Sequence, residues 1–240
     1  MESLTNTPGT PSSRRDFFKR ASLGVGVLAS ASALQACDST DDPPVDTGTA
    51  VTLDFSTDVG VLNYAYALEQ LEYAFYVKVL ETPYSGISDA ERSVLTDLRA
   101  HEGIHRDFLK GALGAGAIGD LTPDFSTINF TSKASVLGAA ITFEDLGIAA
   151  YNGAGKYIRR ADYLTIAGKI VSVEARHASA IRDLILNNER GPGTIGESMG
   201  TLIEVIRENA LDRAFEPLVV LDERTGAGAF ITNTINVRGL

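Results

Sequence analysis

The 240-residue chain is 44% hydrophobic and carries a formal net charge of −10. That apolar share supports a sizeable core and excludes a wholly disordered chain. The acidity excludes nucleic acid, whose phosphates need a basic face. Beyond the N-terminal stretch, no uninterrupted apolar run approaches the roughly 20 residues that span a bilayer.

Residues 1–36 read as a targeting segment rather than as fold. Ser13-Arg14-Arg15-Asp16-Phe17-Phe18-Lys19 resembles a twin-arginine export signal, and a Gly-, Ala- and Ser-rich apolar stretch from Ala21 to Ala33 follows it. The only cysteine, Cys37, closes Leu34-Gln35-Ala36-Cys37, which looks like a lipobox whose Cys is acylated after cleavage. A cut at an Ala-x-Ala site, leaving Cys37 a bystander, is the other reading. A single cysteine cannot form an intramolecular disulfide, which suits an anchoring role. Asp38 to Ala50 is acidic and Pro-bearing, so residues 37–54 are expected to be a flexible tether. Removing residues 1–36 takes away four basic and two acidic residues, leaving 17 Lys and Arg against 29 Asp and Glu. Anionic headgroups repel such a body, so membrane contact is expected through the lipid alone. The expected location is outside the cytoplasm, periplasmic in a two-membrane cell.

Residues 55–190 are expected to form an all-α domain of four long helices. The first runs from about Asp58 to Glu81, with Leu62, Tyr66, Glu69, Tyr73 and Tyr76 at helical spacing. The second opens at Ser88 with Glu91 three residues on, a capping box, and stops in the Gly-rich run Gly111 to Gly119. The third spans about Thr131 to Arg160 and the fourth about Asp162 to Asn188, before the breaker Gly191-Pro192-Gly193. Short joints after the first and third helices force antiparallel hairpins. The long connection from Gly114 to Thr131 lets the chain cross from one end of the bundle to the other. Residues 191–240 are expected to be an extension, with short helices between Leu202 and Leu221 and extended or irregular chain from Thr225 onward.

Two of the three histidines share one context: Glu102-x-x-His105 on the second helix and Glu174-x-x-His177 on the fourth. Residues three apart share a helix face, so each pair points one way. The first and third helices each carry a Glu with a Tyr seven residues on, Glu69 with Tyr76 and Glu144 with Tyr151. Seven residues is nearly two turns, which puts both on one stripe. The hairpins are thus chemical copies of each other. Glu72, one turn beyond Glu69, is the alternative inward residue, but only Glu69 has a Tyr at that spacing.

These motifs resemble ferritin-like di-metal carboxylate proteins with a bacterioferritin-like ligand set, and among them the exported family that includes desiccation-related proteins. The resemblance implies an antiparallel four-helix bundle with one long crossover between helices two and three. It implies two divalent metal ions, Fe or Mn, with Glu102 and Glu174 as bridges and Glu69 and Glu144 as terminal ligands. His105 and His177 would each bind one ion. Tyr76 and Tyr151 are either core aromatics or hydrogen-bond partners of the ligands. His101 would orient the site or lie at its rim. Relatives often carry a carboxylate there, a part Asp145 could take.

Ligands do not fix a reaction. Three readings follow: a redox centre acting on O2 or peroxide as oxidase, ferroxidase or scavenger; a metal-binding or storage module without turnover; and a structural, stress-protective bundle. A homo-oligomer is compatible with each. A closed storage cage is the least suited form, since an anchor and tether on every subunit would obstruct the shell.

Overall fold

The computed structural model describes residues 50–189, 214–222 and 226–240. Arg14 and Arg15, Cys37, residues 38–49 and most of the stretch expected to be helical after Leu202 lie outside the described residues.

Four long helices dominate: α1 (Asp58–Glu81), α2 (Asp89–Leu113), α3 (Lys133–Ala154) and α4 (Ala161–Glu189). Three of the four starts have a local chemical cause. Thr57 caps α1 by accepting from the Gly60 N–H, and Ser132 caps α3 by accepting from Ser135. Ser88 and Glu91 close a reciprocal capping box on α2, so two N–H groups left over at that end are satisfied. The third helix stops at Ala154 rather than near Arg160, because the chain tightens into a 3-10 turn at Gly155–Tyr157. The N–H groups of Arg159 and Arg160 then turn to the Asp58 carboxylate at 2.7 and 3.2 Å, tying the α3–α4 joint to the start of α1.

α1 packs along α2 and α3 along α4, and the two hairpins meet through α1 with α3 and α2 with α4. This is the all-α, ferritin-like arrangement of two antiparallel hairpins and one crossover. The helices differ in kind. α2 buries one stripe, whereas α1 buries 16 residues around most of its girth. A helix apolar all round must be covered all round. The crossover covers α1. Buried Asn63 donates to the Gly116 carbonyl and accepts from the Ile118 N–H, both at 2.8 Å, and Gln70, two turns on, accepts from Leu121 N–H at 2.8 Å. Phe125 of the crossover then meets Phe75 of α1 edge-on, and Phe130 meets it at a tilt.

α3 is covered by the C-terminal chain. The segment Lys133–Tyr157 is long and apolar enough to cross a membrane by length and composition alone, contrary to the reading from uninterrupted runs. Its apolar residues serve the bundle: Val136, Leu137, Ala140 and Phe143 are buried core. Phe215 crosses its outer face, donating its N–H to the Ala149 carbonyl at 3.0 Å. Gly153 permits that crossing, since a Cβ there would lie 1.8 Å from the Phe215 carbonyl oxygen. Phe230 meets Phe143 edge-on at 4.9 Å.

Two short strands correct the sequence reading. The last residues assigned to the tether form β1 (Val51–Asp54), which pairs in parallel with β2 (Ile235–Arg238) from the tail read as extended or irregular. Leu53 is fully buried, so apolar burial fixes a segment that composition alone marked as solvated. Within the stretch expected to be helical, the described helix is a single turn, α5 (Pro217–Val220).

Candidate metal centre

Residues three apart on α2 and α4 turn Glu102 with His105, and Glu174 with His177, toward the bundle axis. Glu69 and Glu144 approach from α1 and α3. All four carboxylates are fully buried, and both imidazoles nearly so. The side chains form two groups, Glu69–Glu102–His105–Glu174 and Glu102–Glu144–Glu174–His177. Within each, one donor atom per residue lies within 4.8 Å of the others. Glu102 and Glu174 belong to both, so the two groups adjoin through shared carboxylates. Glu72 is also buried, yet it belongs to neither group.

The imidazoles face the carboxylates through Nδ1. His105 Nδ1 lies 2.9 Å from Glu174 and 3.3 Å from both Glu69 and Glu102. His177 Nδ1 lies 2.6 Å from Glu102, 3.4 Å from Glu144 and 3.5 Å from Glu174. Proximity does not bring saturation. Glu69 Oε2, Glu102 Oε1, Glu144 Oε2, both Glu174 oxygens and His177 Nδ1 are buried without an aligned hydrogen bond. Buried polar atoms left so are costly. Distance without alignment is what atoms arranged around a common centre present. Carboxylate oxygens with imidazole nitrogens are a donor set for divalent cations such as Fe or Mn. The cluster could therefore hold metal ions.

The second rank is reciprocal. Tyr76 of α1 donates to Glu144 of α3, and Tyr151 of α3 donates to Glu69 of α1 at 2.5 Å. Each tyrosine thus holds the carboxylate of the opposite hairpin, not that of its own helix. His101 breaks the copy. Exposed on α2, its Nδ1 lies 2.9 Å from His177 Nε2, and the two rings stack at 5.1 Å. The equivalent position before Glu174 is Val173. Asp145, the candidate substitute, instead grips Arg182 through both oxygens at 2.7 Å. A groove of about 300 Å³ runs between α2 and α4, with Asp97, His101, Arg176 and His177 in its wall.

Crowding of like charge sets the proton positions. Burial and then the Glu174 carboxylate hold Glu69 well above the ordinary carboxylate range. Burial does the same for Glu144, with Glu102 and Glu174 adding repulsion that His177 only partly offsets. Glu102 goes the other way, to about 2: burial opposes its charge, but the close approach of the His105 and His177 imidazoles prevails. Both imidazoles are correspondingly pushed up to about 12, with burial outweighed by their carboxylate neighbours. Burial and the adjacent carboxylates keep Tyr76 and Tyr151 protonated as donors.

Missed by sequence reasoning was the pairing of Tyr76 and Tyr151 across hairpins, because helical periodicity reports a stripe and not its partner. The buried inward position of Glu72 alongside Glu69 could have been found, since the two lie one turn apart on a helix apolar all round. No curated protein matches the chain. The ferritin-like domain family matches residues 57–187, which cover α1 to α3, all but the last two residues of α4, and every residue of the two carboxylate–histidine groups. The chain belongs to the ferritin-like domain family.

Proposed function

We propose that this is an exported, lipid-anchored ferritin-like protein that holds two divalent ions, Fe or Mn, and carries out redox chemistry with O2 or peroxide. The observation that carries the reading is the pair of four-residue groups sharing Glu102 and Glu174. In it, Glu102 and Glu174 would be shared by the two ions, with Glu69 and His105 available to one and Glu144 and His177 to the other. Two divalent cations balance four carboxylates if both imidazoles are neutral, which removes the cost of burying that charge. Bound ions supply the electrons for reducing a small oxidant.

The chain's own residues do the rest. For Nδ1 of His177 to ligate, its proton must sit on Nε2, where it donates to His101 and fixes the ring. Tyr76 and Tyr151 hold the terminal carboxylates in one rotamer each. The groove beside His101 and His177 is the approach this reading gives a small oxidant. The motif at Arg14-Arg15 supports twin-arginine export and Cys37 supports a lipid anchor.

The deciding measurement is the metal content of protein purified without added metal, followed by its absorption spectrum on addition of O2 or peroxide. Two Fe or Mn per chain with a changed spectrum is the expected result. Two ions with an inert spectrum would make it a storage or binding module, and none at all a structural bundle.

A further inference from the structure

The bundle interior holds a second space beside the carboxylate cluster, with side chains from all four long helices in its wall. Leu109 of α2, Ile170 of α4 and Ala65 of α1 are among them. Each lies four residues from a member of the cluster: Leu109 from His105, Ile170 from Glu174 and Ala65 from Glu69. Because α1 and α4 begin at this end of the bundle and α2 finishes at it, all three steps run the same way. Four residues is about 6 Å of rise along one stripe, so the cavity adjoins the Glu69–His105 side of the cluster. Tyr151 joins the two spaces. Its side chain lines the cavity and its hydroxyl donates to Glu69.

The cavity has room for one small molecule and little with which to hold water. Its volume is about 20 Å³ as traced by the centre of a water-sized sphere, against the roughly 10–15 Å³ that one water requires. The only polar side-chain atoms among its lining residues are the hydroxyls of Tyr64 and Tyr151. That of Tyr151 is given to Glu69, and that of Tyr64 is buried without a hydrogen bond. A buried water makes about three hydrogen bonds, more than this wall offers.

The duplicated hairpins show where the gap comes from. Matching Glu69 with Glu144 and Glu102 with Glu174 pairs Ala154 with Val79 and Ala167 with Leu95. Ala154 and Ala167 line the cavity, whereas Val79 and Leu95 are fully buried in the other copy. Two alanines thus leave open what a valine and a leucine fill at the opposite end. Such a void costs stability. Ile158 and Ile166, at the α3–α4 joint, are the half-buried part of its wall and give an apolar way in from solvent.

We propose that this cavity is a docking site for O2, from which the oxidant passes beside Tyr151 to the Glu69–His105 side of the centre. The inference deepens the redox reading above and rests on it. O2 is apolar and diatomic, so it leaves water readily for a dry apolar space of this size. Peroxide would lose its hydrogen bonds there, which leaves it the groove beside His101 and His177.

Two measurements on the full-length protein test this. In the first, Zn(II), diamagnetic and without redox chemistry, is added in place of iron, and relaxation of methyl resonances by dissolved O2 is read by NMR. The methyls of Ala154, Ala167 and Ile170 are expected to relax severalfold faster than those of their counterparts Val79, Leu95 and Leu98. Equal relaxation at the two ends overturns the site, whatever the iron content. In the second, wild type, Ala167→Leu and Ala154→Val are loaded anaerobically with Fe(II), bound iron is counted, and oxidation is timed with O2 and with peroxide. Each variant should bind two ions, lose the enhanced relaxation at Ile170, and react severalfold more slowly with O2 at an unchanged peroxide rate. Ala154→Val, the smaller insertion, decides the matter if Ala167→Leu does not fold. Equal slowing with both oxidants, or slowing with neither, overturns the O2 route and leaves the redox reading standing. A wild type that binds no iron overturns that reading and the route with it, and relaxation read without iron keeps this failure distinct from an empty cavity.

Discussion

Tyr76 and Tyr151 exchange partners across the bundle, so each terminal carboxylate is held by a residue from the other hairpin. Neither half of the site is complete alone. The proposed bridges and terminal ligands should therefore separate cleanly on mutation. Glu144→Ala is expected to weaken one metal position and spare the other, whereas Glu102→Ala should abolish both. Calorimetry resolving two binding steps checks this, and equal losses from the two variants would sink the assignment. The proton positions give a second expectation. Without metal, His105 and His177 hold protons up to about pH 12 and Glu69 and Glu144 hold theirs well above the ordinary range. Ligation needs neutral imidazole and ionised carboxylate, so binding must expel protons. Affinity should rise with pH through neutrality, and calorimetry in buffers of different ionisation enthalpy should show net proton release. The same shifts favour folding of the metal-free protein at low pH. The imidazole contribution is full below their unfolded value near 6.5 and disappears as pH rises through about 12. An affinity flat between pH 6 and 8 would contradict the assignment.

At the scale of elements, the long helices were legible because their signals are local. Thr57, Ser88 with Glu91, and Ser132 mark three starts, and the hydrophobic stripes and short joints mark the hairpins. The Glu-x-x-His and Glu-to-Tyr spacings are equally local, and the structure brings their six acids and imidazoles into one cluster. What escaped was long-range. Asn63 and Gln70 look like ordinary polar positions on a helix until the crossover arrives to occupy them. β1 and β2 are four residues each, too short to show alternation, and each exists only because the other is there. The third helix ends early in a 3-10 turn, and Asp58, remote in sequence, holds the joint beyond it by accepting from the Arg159 and Arg160 N–H groups. The role of Asn63 can be measured. Asn63→Ala strands the Ile118 N–H and the Gly116 carbonyl, and should cost about 1–3 kcal/mol in stability. Amide exchange should rise along the crossover while the ends of α2 remain protected. A variant as stable as wild type would show that water replaces the amide.

For the whole molecule, the proposed export and anchoring make a claim about where the folded body ends up. Cys37→Ala should release the protein from the membrane fraction, since a single acyl chain binds only marginally and a full lipoprotein modification is needed to hold it. Changing Arg14 and Arg15 to Lys should leave it in the cytoplasm. Wild-type protein recovered in the soluble fraction without detergent would refute the anchor. The parallel pairing of β1 with β2 bears on this route. Those hydrogen bonds join the first described element to the last, the most non-local contact in the fold. Contacts of that separation form late, after loop closure has been met by every nearer pairing. A nascent chain still on the ribosome can build α1 and α2, but it cannot close this clasp until Ile235–Arg238 emerge. Until then Leu53 and Phe55 have no lid from the β2 side, and a product cut short before Ile235 leaves that apolar seam open to proteases and chaperones. The clasp thus closes over the entry to α1 only after every other described element has been made.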